Sequence, residues 1–147
     1  MKTQTIPFQF ERLSEISATD GKALRRLAAL LNPAAAFDLP SLRRSVRNGT
    51  TEIFVLRDGA DLAAAATAVR FTTPTGSHCR LEDVVVDEKH RGKGCGRRIM
   101  TEVLDALRRD GVAGIELTSR PSRVAANALY QALGFARRET NVYEFLF

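Results

Sequence analysis

No apolar run in this sequence of 147 residues approaches the length of roughly 20 residues that a membrane-spanning helix needs. Its first residues, Met1 to Pro7, also lack the apolar stretch of a secretory signal. We therefore expect a cytoplasmic protein with no membrane partner. The length suits a single domain covering residues 1–147, and the apolar (44%) and charged (27%) fractions are those of a globular chain.

Cysteine and histidine are both scarce, with two residues of each type. Cys79 and Cys95 have no second cysteine pair and no neighbouring histidine that would complete a metal site. Since a protein metal site needs three or four such ligands, we expect no metal. A disulfide is not expected in a reducing compartment.

The sequence has no basic tail, although its net charge is +5 and its pI is near 9.8. Residues 1–75 carry ten basic and seven acidic groups, and residues 76–147 carry twelve and ten. Aromatic and basic residues are not interleaved in the way that stacks nucleic-acid bases. The densest basic cluster surrounds a glycine-rich turn, which indicates a small phosphorylated ligand and no nucleic-acid partner. The cluster consists of Lys89, Arg91, Lys93, Arg97 and Arg98.

Hydrophobic periodicity, caps and turn residues predict a mixed α/β order with no internal repeat. A strand, a helix and a further strand in the second half predict a parallel crossover. The predicted elements are strand 6–13, a helix capped by Thr19 or Asp20 and stopped by Asn32-Pro33, a helix from Asp38 to Asn48-Gly49, strands 51–56 and 62–71 around Asp58-Gly59, a loop over 72–77, strand 79–86, helix 96–110, strand 114–119, helix 123–133 and a closing strand 142–147.

The turn Arg91-Gly92-Lys93-Gly94-Cys95-Gly96 joins a buried strand to a helix. Glycine tolerates positive φ and lets the backbone approach a ligand, and the amides of a helix N-terminus attract an anion. Together with the cations, this pattern predicts a diphosphate or similar anion site. The alternative is a tight connection whose arginines serve only solubility. The same helix start would lower the pKa of the Cys95 thiol, although a small residue filling a tight turn is the better interpretation.

Two common phosphate-binding motifs do not fit this turn. A Walker loop would end in Gly-Lys-Ser/Thr, which is absent. A dinucleotide fingerprint requires G-x-G-x-x-G, whereas the glycines here are Gly92, Gly94 and Gly96.

The turn instead resembles the GNAT superfamily of acyl-CoA-dependent N-acyltransferases, whose hallmark is R/Q-x-x-G-x-G/A after a central strand. Arg91, Gly94 and Gly96 fit it residue for residue. The run Ala128 to Phe135 (ALYQALGF) is similar to the end of the family's last helix. The resemblance implies an α/β fold with a strongly twisted, mixed sheet of six or seven strands flanked by about four helices.

In this family the co-substrate is acetyl-CoA. The loop amides bind its pyrophosphate, and the strand before the loop pairs with pantetheine. The last helix approaches the thiol end. The resemblance therefore implies the following cofactor-binding positions: Val84, Val85, Val86, Arg91, Gly92, Lys93, Gly94, Cys95, Gly96, Arg97 and Asn127.

Acyl transfer to an amine needs a base for the ammonium and an acid for the departing thiolate. Tyr130 matches the family tyrosine that often protonates the sulfur. Glu82 is the predicted base, with Asp83 or ordered water as alternatives. As consecutive strand residues the two carboxylates should face opposite ways, Glu82 with Val84 and Asp83 with Val85. Neither His78 nor His90 is predicted to act; both are interpreted as surface residues.

The predicted reaction is acetyl transfer from acetyl-CoA to a primary amine by direct attack. The acceptor, a small molecule or a peptide, stays unidentified. Residues 81–86 are similar to the matching strand of glucosamine-phosphate acetyltransferases, but they lie in the cofactor-binding half. The alternatives are a non-catalytic CoA-binding module and a nucleic-acid-binding domain. The closing strand 142–147 would either complete the sheet or pair across a homodimer interface.

Overall fold

The backbone is described for residues 8–147 by a computed structural model. Strands and helices follow one another in the order β1 (Gln9–Arg12), α1 (Ala18–Leu31), α2 (Leu39–Arg47), β2 (Thr51–Asp58), β3 (Asp61–Thr73), β4 (Gly76–Val86), a 3₁₀ turn (Glu88–His90), α3 (Cys95–Arg109) and α4 (Val124–Ala132). The predicted strand 6–13 begins outside the described residues, and β1 is its described part.

The two N-terminal helices begin at side-chain caps. Ser17 Oγ accepts a hydrogen bond from the Asp20 amide at 3.0 Å, so α1 starts before the predicted caps Thr19 and Asp20. Asp20 is not free to cap because both of its carboxylate oxygens bind Arg57 at 2.9 Å. Asp38 caps α2 by accepting from the Ser41 amide at 3.0 Å, as predicted. No helix in residues 8–147 is long and apolar enough to cross a bilayer.

The four strands form one antiparallel sheet in the order β1-β2-β3-β4. The alanine run 63–66 lies in β3, which confirms the strand interpretation. The predicted loop over 72–77 is wrong, because Thr72 pairs with Ser77 and Thr73 with Gly76, so the hairpin closes through Pro74-Thr75 alone. Gly76 has a φ of +132°, which the tight return requires.

Helices cover both faces of the sheet. One face packs against α3 and α4, and the other against α1 and α2. Side chains of β2 to β4 alternate between the two cores, as the pleat of a strand demands. The first core includes Phe54, Leu56, Ala64, Leu81, Ile99, Val103 and Tyr130, and the second includes Leu24, Leu27, Ile53, Val55, Ala65 and Val85.

The sheet of residues 8–147 therefore has four strands, not the six or seven expected. The predicted strand 114–119 makes only one parallel bridge, between Glu116 and Arg80. That bridge confirms the direction of the crossover from β4 through α3. The predicted closing strand 142–147 is also wrong: its side chains are exposed, with Tyr143 at 88%. Alternation of apolar and polar residues shows which side chains would share a face of a strand. It does not show whether a neighbouring strand is present to pair with.

Candidate active site

Two glycines of the turn between β4 and α3 have left-handed backbones. Gly92 has a φ of +76° and Gly94 a φ of +77°. No atom lies within 4 Å of a Cβ built on either residue, so the backbone conformation and not crowding favours glycine here. Gly94 is also the N-cap of α3 and gives the helix no side-chain cap. The turn therefore presents bare backbone at the start of the helix.

The first turn of α3 has amides with no helical acceptor. The Arg98 amide is the first to donate within the helix, to the Gly94 carbonyl at 3.0 Å. The preceding amides, those of residues 95–97, point out of the helix start and carry the positive end of its dipole. These groups can bind an anion that is brought to the turn.

The cations around this turn are mostly unpaired. Arg91, Lys93 and Arg97 are exposed, and none forms an ion pair with a carboxylate of residues 8–147. Arg98 lies 4.0 Å from Glu102. Most arginines elsewhere on the sheet are engaged; Arg57, for example, binds Asp20. The local positive charge is therefore available to a ligand.

Gly96 connects the turn to the strand before it and to α4. A Cβ on Gly96 would lie 3.5 Å from Leu129 Cδ2 and 3.6 Å from Val86 Cγ2, which are ordinary contact distances. The start of α3, the end of β4 and α4 thus pack at one point.

Cys95 is 2% exposed, and its burial is the main effect on its thiol. Burial raises the pKa of the Cys95 thiol, against the lowering effect of Lys93 and Arg98. The predicted lowering by the helix start is therefore wrong. A buried thiol with a raised pKa is a poor nucleophile, and Cys95 fills the turn as a small apolar residue.

The outer edge of β4 opens along its second half. The Leu81 amide donates to the Glu116 carbonyl at 2.9 Å, and the Glu116 amide donates to the Cys79 carbonyl at 3.0 Å. Beyond Leu81, no backbone hydrogen bond crosses from β4 to the segment 117–119 within the described residues. The outward backbone groups of Val84 to Val86 are therefore free to pair with an extended ligand.

Sequence reasoning missed a hydroxyl in the segment beside this opening. Ser119 Oγ is buried and has no hydrogen-bond partner among residues 8–147. A buried polar atom without a partner is costly, so a ligand with a donor or acceptor would relieve it. The segment 114–119 gave no motif that points to this serine.

β4 contains a bulge at the same place. Ala65 of β3 pairs with Val85, and Thr67 pairs with Glu82, so one residue of β3 lies opposite two of β4. Asp83, within the bulge, has a φ of +50°. This is the one non-glycine residue with positive φ among residues 8–147, and aspartate tolerates it better than most.

The bulge changes the face on which Glu82 lies, whereas Asp83 lines the same cleft as Val85, as expected. Glu82 and Val85 pair with residues two positions apart on β3, so their side chains lie on the same face of the sheet. Val84 packs on the opposite face, with the α3 core. The expectation that Glu82 shares a face with Val84 is therefore wrong.

The two carboxylates of the bulge differ in their partners. The Glu82 carboxylate binds Arg80 Nε at 3.1 Å, and both side chains are about 40% exposed. Asp83 makes no hydrogen bond or ion pair with another described side chain, and it lines a cleft between the sheet and the two N-terminal helices. The cleft has a volume of about 400 Å³.

Tyr130, at the end of α4, is 7% exposed and packs edge-on against Phe135, with ring centroids 5.8 Å apart. Burial raises the pKa of its hydroxyl, and Arg123 opposes the rise. The phenol therefore keeps its proton at neutral pH. Its hydroxyl makes no hydrogen bond with the described residues, so it is free to donate to a ligand.

Asn127 is engaged by the backbone of the loop before α4. Its Nδ2 donates to the Arg120 and Arg123 carbonyls, both at 2.9 Å. Asn127 thus fixes the loop 120–123 on the first turn of α4, and only its side-chain oxygen stays available to a ligand.

His90 is buried next to the turn, so its interpretation as a surface residue is wrong. Its Nε2 lies 2.9 Å from Asp58 Oδ2, and its Nδ1 lies 3.1 Å from Asp87 Oδ2. Arg26 of α1 also binds Asp87. These contacts tie the residue before Arg91 to the β2–β3 hairpin and to α1. No local pattern in the sequence indicates these contacts, because Asp58 is 32 residues away from His90 in the chain.

His78, by contrast, is a partly exposed residue of β4. Its ring stacks on Phe71, with centroids 5.2 Å apart, and its Nε2 lies 2.9 Å from Thr73 Oγ1.

Relatives match part of this chain in sequence. The chain is 40% identical over 55 residues to the [ribosomal protein bS18]-alanine N-acetyltransferase of Escherichia coli K12, which is 37% of each chain. It is 31% identical over 105 residues to the N-alpha-acetyltransferase RimI of Mycobacterium tuberculosis, covering 71% of this chain and 61% of that protein. The match thus spans well under two thirds of the E. coli enzyme.

Solved structures agree on the fold. An aminoglycoside acetyltransferase from an uncultured soil metagenomic sample superposes with a TM-score of 0.82 at 16% identity, over 95% of both chains. Glucosamine-6-phosphate N-acetyltransferase from Arabidopsis thaliana superposes with a TM-score of 0.73 at 17% identity, over 95% of this chain and 99% of that one. The model of the acetyltransferase (GNAT) family matches residues 22–135, and the chain therefore belongs to that family.

Proposed function

We propose that this protein transfers an acetyl group from acetyl-CoA to a primary amine. The observation that carries the proposal is the turn at 91–96, where free amides and unpaired cations lie directly after the open edge of β4. A diphosphate would bind the amides and cations of the turn, and an extended chain containing amides would pair with the open edge of β4. CoA has these two parts in that order.

The residues of the chain divide the binding between them. Amides of residues 95–97 and the side chains of Arg91 and Lys93 hold the pyrophosphate. Backbone groups of Val84 to Val86 pair with the pantetheine arm. Ser119 Oγ is a buried hydroxyl that is available to hydrogen-bond the same ligand. When bound, the co-substrate supplies the acetyl group as a thioester.

Two kinds of side chain carry the proposed proton transfers, a phenol and a carboxylate. Tyr130, kept neutral by burial, donates its proton to the departing sulfur. Glu82 remains the predicted base, acting through an ordered water because Arg80 holds its carboxylate. Asp83 is the alternative, since its carboxylate lines the cleft directly.

Two variants separate these bases. Glu82→Gln and Asp83→Asn keep the size of each side chain, and asparagine also tolerates the positive φ at position 83. In the variant that lacks the base, kcat should fall at least a hundredfold. Its pH profile should also lose the step caused by ionisation of that base. The other variant keeps the pH profile of the unmodified protein.

The proposed function itself is tested with a panel of amines, following the release of CoA thiol. The panel includes small aliphatic and aromatic monoamines, amino sugars, polyamines, aminoglycosides and a short peptide with an N-terminal alanine, the acceptor residue in the name of the E. coli relative. Turnover with any amine above the rate of acetyl-CoA hydrolysis supports it. Tight CoA binding with no turnover in the whole panel would instead show a non-catalytic CoA-binding protein.

A further inference from the structure

The cleft beside Asp83 has an apolar wall. It lies between α1, the loop 32–38, α2 and the face of the sheet that carries Val85. Its apolar lining side chains are Leu24, Leu27, Ala28, Leu31, Ala35, Ala36, Phe37, Leu42, Ile53, Ala65 and Val85. A volume of about 400 Å³ falls in the range of small-molecule sites.

Small residues provide this space. Ala28 on α1, Ala36 in the loop and Ala65 on β3 lie on three sides of the cleft. Phe37 is held in the wall by Arg25, whose guanidinium carbon lies 5.0 Å from the ring centroid.

One carboxylate in this lining is free. Asp38 also lines the cleft, but its two oxygens accept from the amide (3.0 Å) and the hydroxyl (2.6 Å) of Ser41. Asp83 has no such partner among the described side chains, and it lies at the bulge beside the open edge of β4. An ammonium group that entered the cleft would meet this carboxylate next to the place proposed for the thioester.

The lining also excludes several acceptors. No lysine or arginine of residues 8–147 lines the cleft, so an acceptor that carries a phosphate or carboxylate would have no cation to bind. Asp83 is a single free acid, whereas a polyamine or an aminoglycoside brings several ammonium groups. The lining offers three hydroxyls, those of Ser41, Ser45 and Thr67, which are too few for the many hydroxyls of an aminoglycoside. Burying several charges against the aliphatic remainder is costly.

We propose that the acceptor is a primary monoamine with a compact aliphatic or aromatic body and no anionic group. The body fills the apolar cleft between α1 and the sheet, and the amine lies at Asp83. This inference rests on the proposed function, because it assigns an acceptor to the same reaction.

The test compares amines that differ in one property each. Phenethylamine and isoamylamine carry one ammonium and an apolar body. Phenylalanine adds a carboxylate to the first of them, and glucosamine 6-phosphate, spermidine and kanamycin represent the polar classes. We expect kcat/KM for phenethylamine or isoamylamine to exceed that for every polar amine at least tenfold. A smaller ratio overturns the inference.

Cleft-filling variants locate the effect. Ala28→Phe and Ala36→Phe each place a ring in the cleft, one on a helix and one in a loop. Ala29→Phe is the control, because Ala29 is exposed on α1 and does not line the cleft. We expect both cleft variants to lower kcat/KM for phenethylamine at least tenfold while the Kd for acetyl-CoA stays unchanged. Asp83→Asn should likewise lower kcat/KM for phenethylamine at least tenfold.

The outcomes separate the two proposals. If the chain acetylates only polar amines, or if both cleft variants match the control while still binding acetyl-CoA, the apolar acceptor is refuted and the proposed function stands. If the unmodified protein binds acetyl-CoA but acetylates no amine at all, both proposals fail. Retained acetyl-CoA binding shows in each case that a variant has folded.

Discussion

Replacing Gly94 with alanine places a side chain on a backbone with a φ of +77° and a ψ of 10°. No neighbouring atom would collide with the new methyl group, so the whole cost comes from the backbone conformation. An L-residue in this left-handed region costs about 1–2 kcal/mol relative to glycine. The variant either bears that cost or moves the turn.

Gly96→Ala is a matched control two residues away. Gly96 has no positive φ, and its new methyl group would make ordinary contacts with Leu129 and Val86. Alanine also favours a helix over glycine by about 0.5–1 kcal/mol. The family hallmark accepts alanine at this position and only glycine at Gly94, which agrees with the difference in backbone.

Thermal unfolding and acetyl-CoA titration measure both effects. For a chain of this length, about 1–2 kcal/mol corresponds to a fall in Tm of roughly 3–8 °C for Gly94→Ala. The affinity of Gly94→Ala for acetyl-CoA should fall about tenfold, because the first amides of α3 must stay aligned on the ligand. Gly96→Ala should keep both values within error or gain slightly in Tm. Equal losses in the two variants would refute the assignment of the cost to backbone conformation.

Three further substitutions test other parts of the site. Tyr130→Phe should lower kcat about a hundredfold or more and leave the Kd for acetyl-CoA unchanged; an unchanged kcat would remove the tyrosine from the proton transfer. Lys93→Ala should weaken acetyl-CoA binding roughly three- to fivefold at low salt and less at high salt. Arg108→Ala, at the far end of α3, should leave acetyl-CoA binding unchanged. Equal effects of the two variants would contradict a local contact of Lys93 with the ligand. Asp87→Asn should lower the free energy of unfolding at pH 7 by about 2 kcal/mol. Burial raises the pKa of the Asp87 carboxyl, but Arg26 and His90 lower it more, so the folded value lies below the unfolded one. The stabilisation is thus present above about pH 4 and lost as the pH falls further. Urea unfolding at several pH values should therefore show a smaller loss of unfolding free energy at acid pH for the variant than for the unmodified protein. Parallel plots of unfolding free energy against pH would refute this.

Features that depend on a few consecutive residues could be predicted from the sequence. The Asp38 cap of α2, the hairpin at Asp58-Gly59 and the helix that begins after Gly94 are all confirmed. Each is set by the backbone preference of the residue itself or by a hydrogen bond to a residue three positions away. The cap of α1 was predicted wrongly: Ser17 caps the helix in place of Thr19 or Asp20, and Asp20 binds Arg57 instead.

Features that depend on distant residues could not be predicted. His90 is a histidine beside a basic turn in the sequence, and in the structure it contacts Asp58 of the β2–β3 hairpin and Asp87, which Arg26 of α1 also binds. The segment 142–147 alternates like a strand, yet strand formation also needs a free edge in register. The one parallel bridge on the outer edge of β4 goes to Glu116.

The bulge in β4 shows how such a distant feature decides the chemistry of the site. A regular strand would place Glu82 and Asp83 on opposite faces, and only one of them could reach the acceptor side. Inserting one residue opposite β3 moves Glu82 to the face of Val85 and turns Asp83 to a positive φ at the mouth of the cleft. Both acids then lie on the face of the sheet that carries Val85; Arg80 binds Glu82, whereas Asp83 has no partner among the side chains of residues 8–147. In the proposed reaction the glycine turn would fix where the donor binds, and the register of β3 against β4 would determine which carboxylate meets the amine.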